Sequence, residues 1–132
     1  MMDKIFLDAN VLFSAAYNAK NGLLKFWKLP DIFLISSHYA IEEARRNLST
    51  EEQLERLKEL IENVTLVPEV VDTFIPSGVV LPIKDRPILA AAIYTNCSFL
   101  ITGDFKDFGK YFNTTIQGVK ILPPAAYFAL FT

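Results

Sequence analysis

The stretch Ile5-Phe6-Leu7-Asp8-Ala9-Asn10 (IFLDAN, residues 5–10) decides the fold. Three apolar residues in unbroken succession, rather than an alternation of apolar and polar ones, are what a strand buried on both faces requires, and such strands belong to parallel sheets covered by helices. The same build returns at Phe99-Leu100-Ile101-Thr102-Gly103-Asp104 (FLITGD, residues 99–104). In both stretches a carboxylate follows the apolar run, so each run is read as a central strand with an acid at its carboxyl end. Further apolar, β-branched runs at Ile32–Ile35, Val64–Val67 and Val119–Leu122 join Lys4–Leu7 and Phe99–Thr102 as strands. The expected class is α/β: a central parallel sheet of about five strands flanked by helices in three layers.

Between the strands the apolar spacing is helical. Leu54, Leu57, Ile61 and Val64 follow one face, and Thr50 with Gln53 has the form of a capping box, predicting a helix over Glu51–Asn63. A helix after Ser37 carries Ile41, Ala44 and Leu48 on one face. Another begins near Asp85-Arg86-Pro87, with proline suited to a first turn, and runs through Leu89-Ala90-Ala91-Ala92-Ile93. Helices are also expected around Val11–Tyr17, Leu23–Lys28 and Ala125–Phe131. The prolines and Ser77-Gly78 of residues 68–82 break any period and mark a loop. With 132 residues, no repeats and no linker-like composition, one domain over residues 1–132 is expected.

Composition narrows the setting. The chain is 52% hydrophobic and 21% charged, with seven Pro and five Gly, which excludes a disordered class. A mean hydropathy of +0.27 is more apolar than a small monomer easily hides, and points to a partner surface or a homodimer. The single Cys97 forms no internal disulfide, the N-terminus has no signal-peptide layout and no apolar run reaches membrane-spanning length, so a cytoplasmic protein without a membrane partner is expected. The formal charge of −2 argues against a nucleic-acid partner until the acids are sorted. If Asp8, Glu43, Asp85, Asp104 and Asp107 share one site, 13 basic side chains face ten remaining acidic ones, a mildly basic surface around an acidic pit.

In open α/β sheets ligands bind beyond the carboxyl ends of strands, near the point where strand order reverses, and Asp8 and Asp104 both stand there. Asp85 in the first turn of its helix and Glu43 on the helix after the second strand can reach the same edge. Each has a plain alternative: Asp85 as a helix cap, Asp8 and Asp104 as turn residues, Glu43 as a solvated helix residue. Together they are costly without a cation, since two carboxylates about 4 Å apart repel by roughly 4 kcal/mol at an effective dielectric near 20. Oxygen donors without nearby Cys or His select hard cations, Mg²⁺ or Mn²⁺. Between adjacent glutamates, Glu43 falls nearer the buried stripe of its helix than Glu42.

These residues resemble the PIN-domain nucleases, in particular the small VapC-like toxins of toxin–antitoxin pairs. The likeness spans nearly the whole chain and rests on FLDANVLFSA at Asp8, SSHYAIEEARRNL with Glu43, KDRPILAAAI with Asp85, and FLITGDFKDF with Asp104 and Asp107. It implies a PIN-like parallel sheet, an acidic quartet of Asp8, Glu43, Asp85 and Asp104 coordinating Mg²⁺ or Mn²⁺, and metal-assisted hydrolysis of RNA phosphodiesters. Asp107 matches a further acid of many members. Asn10 and Thr102 match small polar positions that orient Asp8 or Asp104, with helix capping the other reading of Asn10. An antitoxin protein is the implied partner. Residue 9 departs from the pattern, being Ala where members more often have Thr or Ser. Arg45, Arg46, Lys84, Arg86, Lys106 and Lys110 are the nearest basic candidates for RNA contact.

Two other functions compete. A phosphatase-type enzyme would use Asp8 as nucleophile, but such families place a second acid two residues on, where this chain has Asn10. A non-catalytic PIN-like module would bind RNA or a partner without cutting.

Overall fold

Ile5, Phe6 and Leu7 are wholly buried because a neighbour covers them on every side. The computed structural model describes residues 3–71 and 75–130. In it, β1 (Asp3–Leu7) lies between β2 (Ile32–Ser37) and β4 (Phe99–Ile101), parallel to both. Outward from β2 comes β3 (Thr65–Val67), and outward from β4 come β6 (Val119–Leu122) and β5 (Thr115–Ile116). The order β3-β2-β1-β4-β6-β5 places the two continuously apolar runs side by side at the centre. All pairings are parallel except β5 with β6.

The chain runs outward from β1 to β2 and β3, then returns to β4 on the other side, so strand order reverses between β1 and β4. That reversal opens a crevice at the carboxyl ends of these two strands. Their register pairs Leu7 with Ile101, so Asp8 and Thr102 emerge together, and the Asp8 amide donates to the Ile101 carbonyl at 3.0 Å.

Helices flank the sheet: α1 (Ala9–Tyr17), α2 (His38–Asn47), α3 (Glu51–Ile61), α4 (Arg86–Tyr94), α5 (Phe105–Phe108) and α6 (Pro124–Ala129). A 3₁₀ turn spans Gly22–Trp27. Helix α1 packs on α2 and α3, and α4 packs on β2 and β4. The run Ile88–Ala92 of α4 is buried throughout, and its small alanines permit close approach to the sheet. No helix among the described residues is long and apolar enough to cross a membrane.

Three details depart from the sequence reading. The sheet has a sixth strand, the antiparallel β5, beyond the five anticipated. On α3 the buried positions are Gln53 and Leu57, whereas Leu54 is 37% exposed. Gln53 is drawn inward because it completes the capping box with Thr50 and also donates to the Tyr17 carbonyl at 3.2 Å, tying α3 to the end of α1. The helix expected over Ala125–Phe131 runs Pro124–Ala129, and Phe131 lies outside the described residues. The remainder of the 68–82 loop that is described, residues 68–71 and 75–82, holds neither helix nor strand.

Candidate active site

Asp8 follows β1 and caps α1, and both of its carboxylate oxygens accept hydrogen bonds from the chain. Oδ1 accepts from the Ala9 amide at 2.6 Å, while Oδ2 accepts from the Thr102 hydroxyl at 2.8 Å and the Asn10 amide at 3.2 Å. Asn10 lies inside α1, past the capping position. Its Nδ2 also donates to Thr102 Oγ1 at 3.2 Å, and its Oδ1 accepts from the Gly103 amide at 2.7 Å. A Cβ at Gly103 would stand 3.3 Å from Asn10 Oδ1, a tight contact that would press on the side chain bonded to the Gly103 amide. Thr102 Oγ1 in turn accepts from the Asp104 amide at 3.1 Å. Asn10 and Thr102 thus lock the end of β1 to the end of β4.

Replacing Thr102 with Val keeps the shape and removes the hydroxyl. The Asp104 amide and one Asn10 donor lose their acceptor, so Thr102→Val should cost about 1–3 kcal/mol in urea-induced unfolding.

Four acids meet at this edge. Asp8, Glu43, Asp85 and Asp104 line one cavity of about 560 Å³, together with Asn10, Phe13, Ala44, Asn47 and Lys84. Glu43 reaches it from α2, whose Ala40, Ile41 and Ala44 are buried, while Glu42 faces solvent and pairs with Arg45. The Tyr39 hydroxyl donates to the Lys84 carbonyl at 2.6 Å and so ties α2 to the turn that carries Asp85. Asp85 ends the 3₁₀ turn Ile83–Asp85 at the N-cap of α4, yet its side chain makes no capping bond. Its Oδ2 is buried and has no hydrogen-bond partner. Asp104 does cap α5, accepting from the Asp107 amide at 2.9 Å.

Carboxylate oxygens of Asp85, Asp104 and Asp107 lie within 4.8 Å of one another. The tightest grouping therefore includes Asp107 and leaves out Asp8 and Glu43, which line the same cavity. Lys84 Nζ sits 3.4 Å from Asp107 Oδ2, and His38 is exposed at the start of α2, with no part in the site.

The charges are under strain. Burial pushes the Asp8 carboxyl up to about 6, with Thr102 and the Ala9 amide pulling it down and the Glu43 and Asp104 charges adding to the rise. Burial likewise pushes Asp85 up to about 7, reinforced by the neighbouring Asp107. Asp107 is held below the usual carboxylate range by its contact with Asp85 and by Lys84.

A sequence model described as PIN domain matches residues 4–106. The chain belongs to the PIN-domain family. The match takes in β1 through Asp104 and so covers the crevice of this PIN domain, ending one residue before Asp107. No curated protein matches the chain. Among solved structures, the crystal structure of VapBC2 from Rickettsia felis bound to a DNA fragment from their promoter aligns with a TM-score of 0.69. The alignment covers 91% of this chain and 98% of that one at 15% identity, a likeness of fold.

Two residues of the PIN cavity went unnoticed in the sequence, Asn47 and Phe13. Each had a positional signal. Asn47 lies four residues after Glu43 and Phe13 four after Ala9, one helical turn along the same face. The Asn47 amide donates to the Glu43 carbonyl at 2.9 Å.

Proposed function

We propose that this PIN domain is a divalent-metal-dependent endoribonuclease whose metal-site acids are Asp8, Glu43, Asp85, Asp104 and Asp107. The observation that carries the reading is Asp85 Oδ2, a buried carboxylate oxygen without a hydrogen-bond partner, beside two further carboxylates within 4.8 Å. A buried unpaired charge is expensive, and such groups are paired or coordinate metals. Oxygens on opposite sides of a Mg²⁺ are about 4 Å apart, and the donor set is oxygen alone, which suits Mg²⁺ or Mn²⁺. When bound, the ion would polarise the phosphodiester and lower the pKa of the attacking water.

The chain's own residues do the rest. Asp85, Asp104 and Asp107 supply the mutually closest oxygens, and Asp8 and Glu43 add further carboxylates to the same cavity. Asn10 and Thr102 fix Asp8 in one orientation, as outer partners of metal ligands do. Lys84, at the rim, offers a cation to a phosphate oxygen of the strand. The three donors holding Asp8 argue against its use as a free nucleophile, and hence against the phosphatase alternative. Intact acids argue against a non-catalytic module.

Family membership and the VapBC2 likeness support a toxin of a toxin–antitoxin pair acting in the cytoplasm. Ile83 and Phe105 are 87% and 69% exposed next to the acids, apolar surface of the kind a protein partner, an antitoxin or a second copy of the chain, would cover. The function is tested by incubating purified protein with single-stranded RNA in Mn²⁺ or Mg²⁺ and in chelator. Cleavage with either ion and none in chelator is expected; equal cleavage in chelator, or none anywhere, would refute it.

A further inference from the structure

Helix α1 carries two aromatic rings outside its fully buried stripe, Phe13 half-buried against the core and Tyr17 exposed. Its buried stripe is Ala9, Val11, Leu12, Ala15 and Ala16. Phe13 and Tyr17, one helical turn apart, stand outside that stripe with ring centroids 5.5 Å apart and planes tilted by 45°, and Tyr17 is 54% exposed. They line a second hollow of about 290 Å³ with Ser14, Asn18 and Asn21. Phe13 lines the acidic cavity as well, so the two hollows share its side chain. By the helical rise, Phe13 is ~7 Å and Tyr17 ~13 Å along the axis from Asp8. That is a reach of one to two nucleotides.

The platform is held rigidly. The Tyr17 carbonyl accepts from Gln53, and Arg56 donates to the Ala16 carbonyl at 2.7 Å, both anchoring the end of α1 on α3. Asn21 Nδ2 donates to the carbonyls of Ala15 and Asn18 at 3.0 and 2.8 Å, fixing the far wall. Two aromatic faces beside amide and hydroxyl groups match a flat heterocycle with polar edges.

We propose that Phe13 and Tyr17 form a stacking subsite for an unpaired base of the RNA strand whose phosphodiester enters the acidic cavity. The inference rests on the ribonuclease reading above and adds a single-stranded substrate to it. A base is the favoured occupant because Phe13 is shared: a strand with its phosphate at the carboxylates has a neighbouring base within reach of that ring. Stacking of this kind tolerates sequence, since every base has a face to offer. It binds the strand before reaction and so affects KM rather than kcat.

The test compares cleavage of a single-stranded RNA oligonucleotide by wild type, Tyr17→Ala and Tyr17→Phe in Mn²⁺, with unfolding curves as the folding control. Tyr17→Ala should raise KM about tenfold or more at nearly unchanged kcat, and Tyr17→Phe, which keeps the ring, should restore most of the loss. An oligonucleotide abasic next to the cut bond should raise KM for wild type by a similar factor and no further for Tyr17→Ala. An unchanged KM in Tyr17→Ala, a loss confined to kcat, or an abasic penalty as large in Tyr17→Ala as in wild type overturns the subsite while leaving the nuclease standing. Absence of cleavage by wild type overturns the ribonuclease reading itself.

Discussion

Asp8→Asn is expected to reduce metal-dependent RNA cleavage on the order of a hundredfold or more while leaving the fold in place. Loss of a mere outer partner of a metal ligand commonly costs 10- to 100-fold in affinity or activity, roughly, and loss of a ligand charge should exceed that. The stability side is a near balance. The amide keeps an oxygen for the Ala9 N–H, but its NH₂ must face the Asn10 amide, which already donates there, at a cost of about 1–3 kcal/mol. Against this, a carboxylate pushed from 3.8 up to about 6 by burial no longer has to be ionised at neutral pH, a relief of about 3 kcal/mol. Cleavage assays paired with urea unfolding separate the two effects. Activity within a few-fold of wild type would remove Asp8 from the metal site; a collapsed fold would show the energy balance to be wrong.

The second large effect concerns acid, metal and stability together. Asp8 and Asp85 have folded-state values of about 6 and about 7 against 3.8 when unfolded. A carboxyl raised on folding contributes stability that is fully present below the unfolded value and lost as pH climbs through the folded one. In chelator the thermal midpoint should therefore fall between pH 5 and pH 8, opposite to the usual behaviour of paired carboxylates. Asp107, shifted the other way, opposes this only weakly because it is partly solvated. Mn²⁺ should restore the midpoint at pH 8 and change it little at pH 5, where protons hold the same oxygens. Circular dichroism melts at three pH values, with and without the ion, read this directly. A midpoint that rises from pH 5 to pH 8 in chelator, or a metal effect equal at both ends, would contradict the charge distribution described here.

The contrast between Asp8 and Asp85 also shows how much was legible beforehand. Strand ends could be read because continuous apolar runs such as Ile5–Leu7 and Phe99–Ile101 have one good use, the centre of a parallel sheet, and Asp8 and Asp104 follow from that placement. The partnerless Oδ2 of Asp85 could not be read. An aspartate before Arg-Pro is a natural cap, and only the three-dimensional structure shows that its carboxylate makes no capping bond to the helix amides. The same holds for Glu42 and Glu43, which differ by one helical step and end on different surfaces, one paired with Arg45 and one in the cavity.

Strand β5 is a different case, since a signal existed. Gln117 and Gly118 both adopt positive φ, 48° and 84°, in the two-residue turn joining β5 to β6. Such turns favour glycine, and Thr-Ile-Gln-Gly-Val-Lys is a short hairpin pattern. Two residues of strand are too few to show a period, so the turn was the sole readable mark. Gln53 escaped for the reason that a polar residue counts against burial until its partners, the Thr50 amide and the Tyr17 carbonyl, are known.

The central claim is that these acids hold a divalent cation which their own folding has left them short of. Isothermal titration of Mn²⁺ into the metal-free protein near pH 6.5, repeated in buffers of different ionisation heat, counts the protons displaced by each ion. With Asp8 at about 6 and Asp85 at about 7, saturable binding with release of about one proton is predicted, and Asp85→Asn should abolish most of that release. Absence of saturable binding, or binding that displaces no protons and is indifferent to Asp85→Asn, would contradict it.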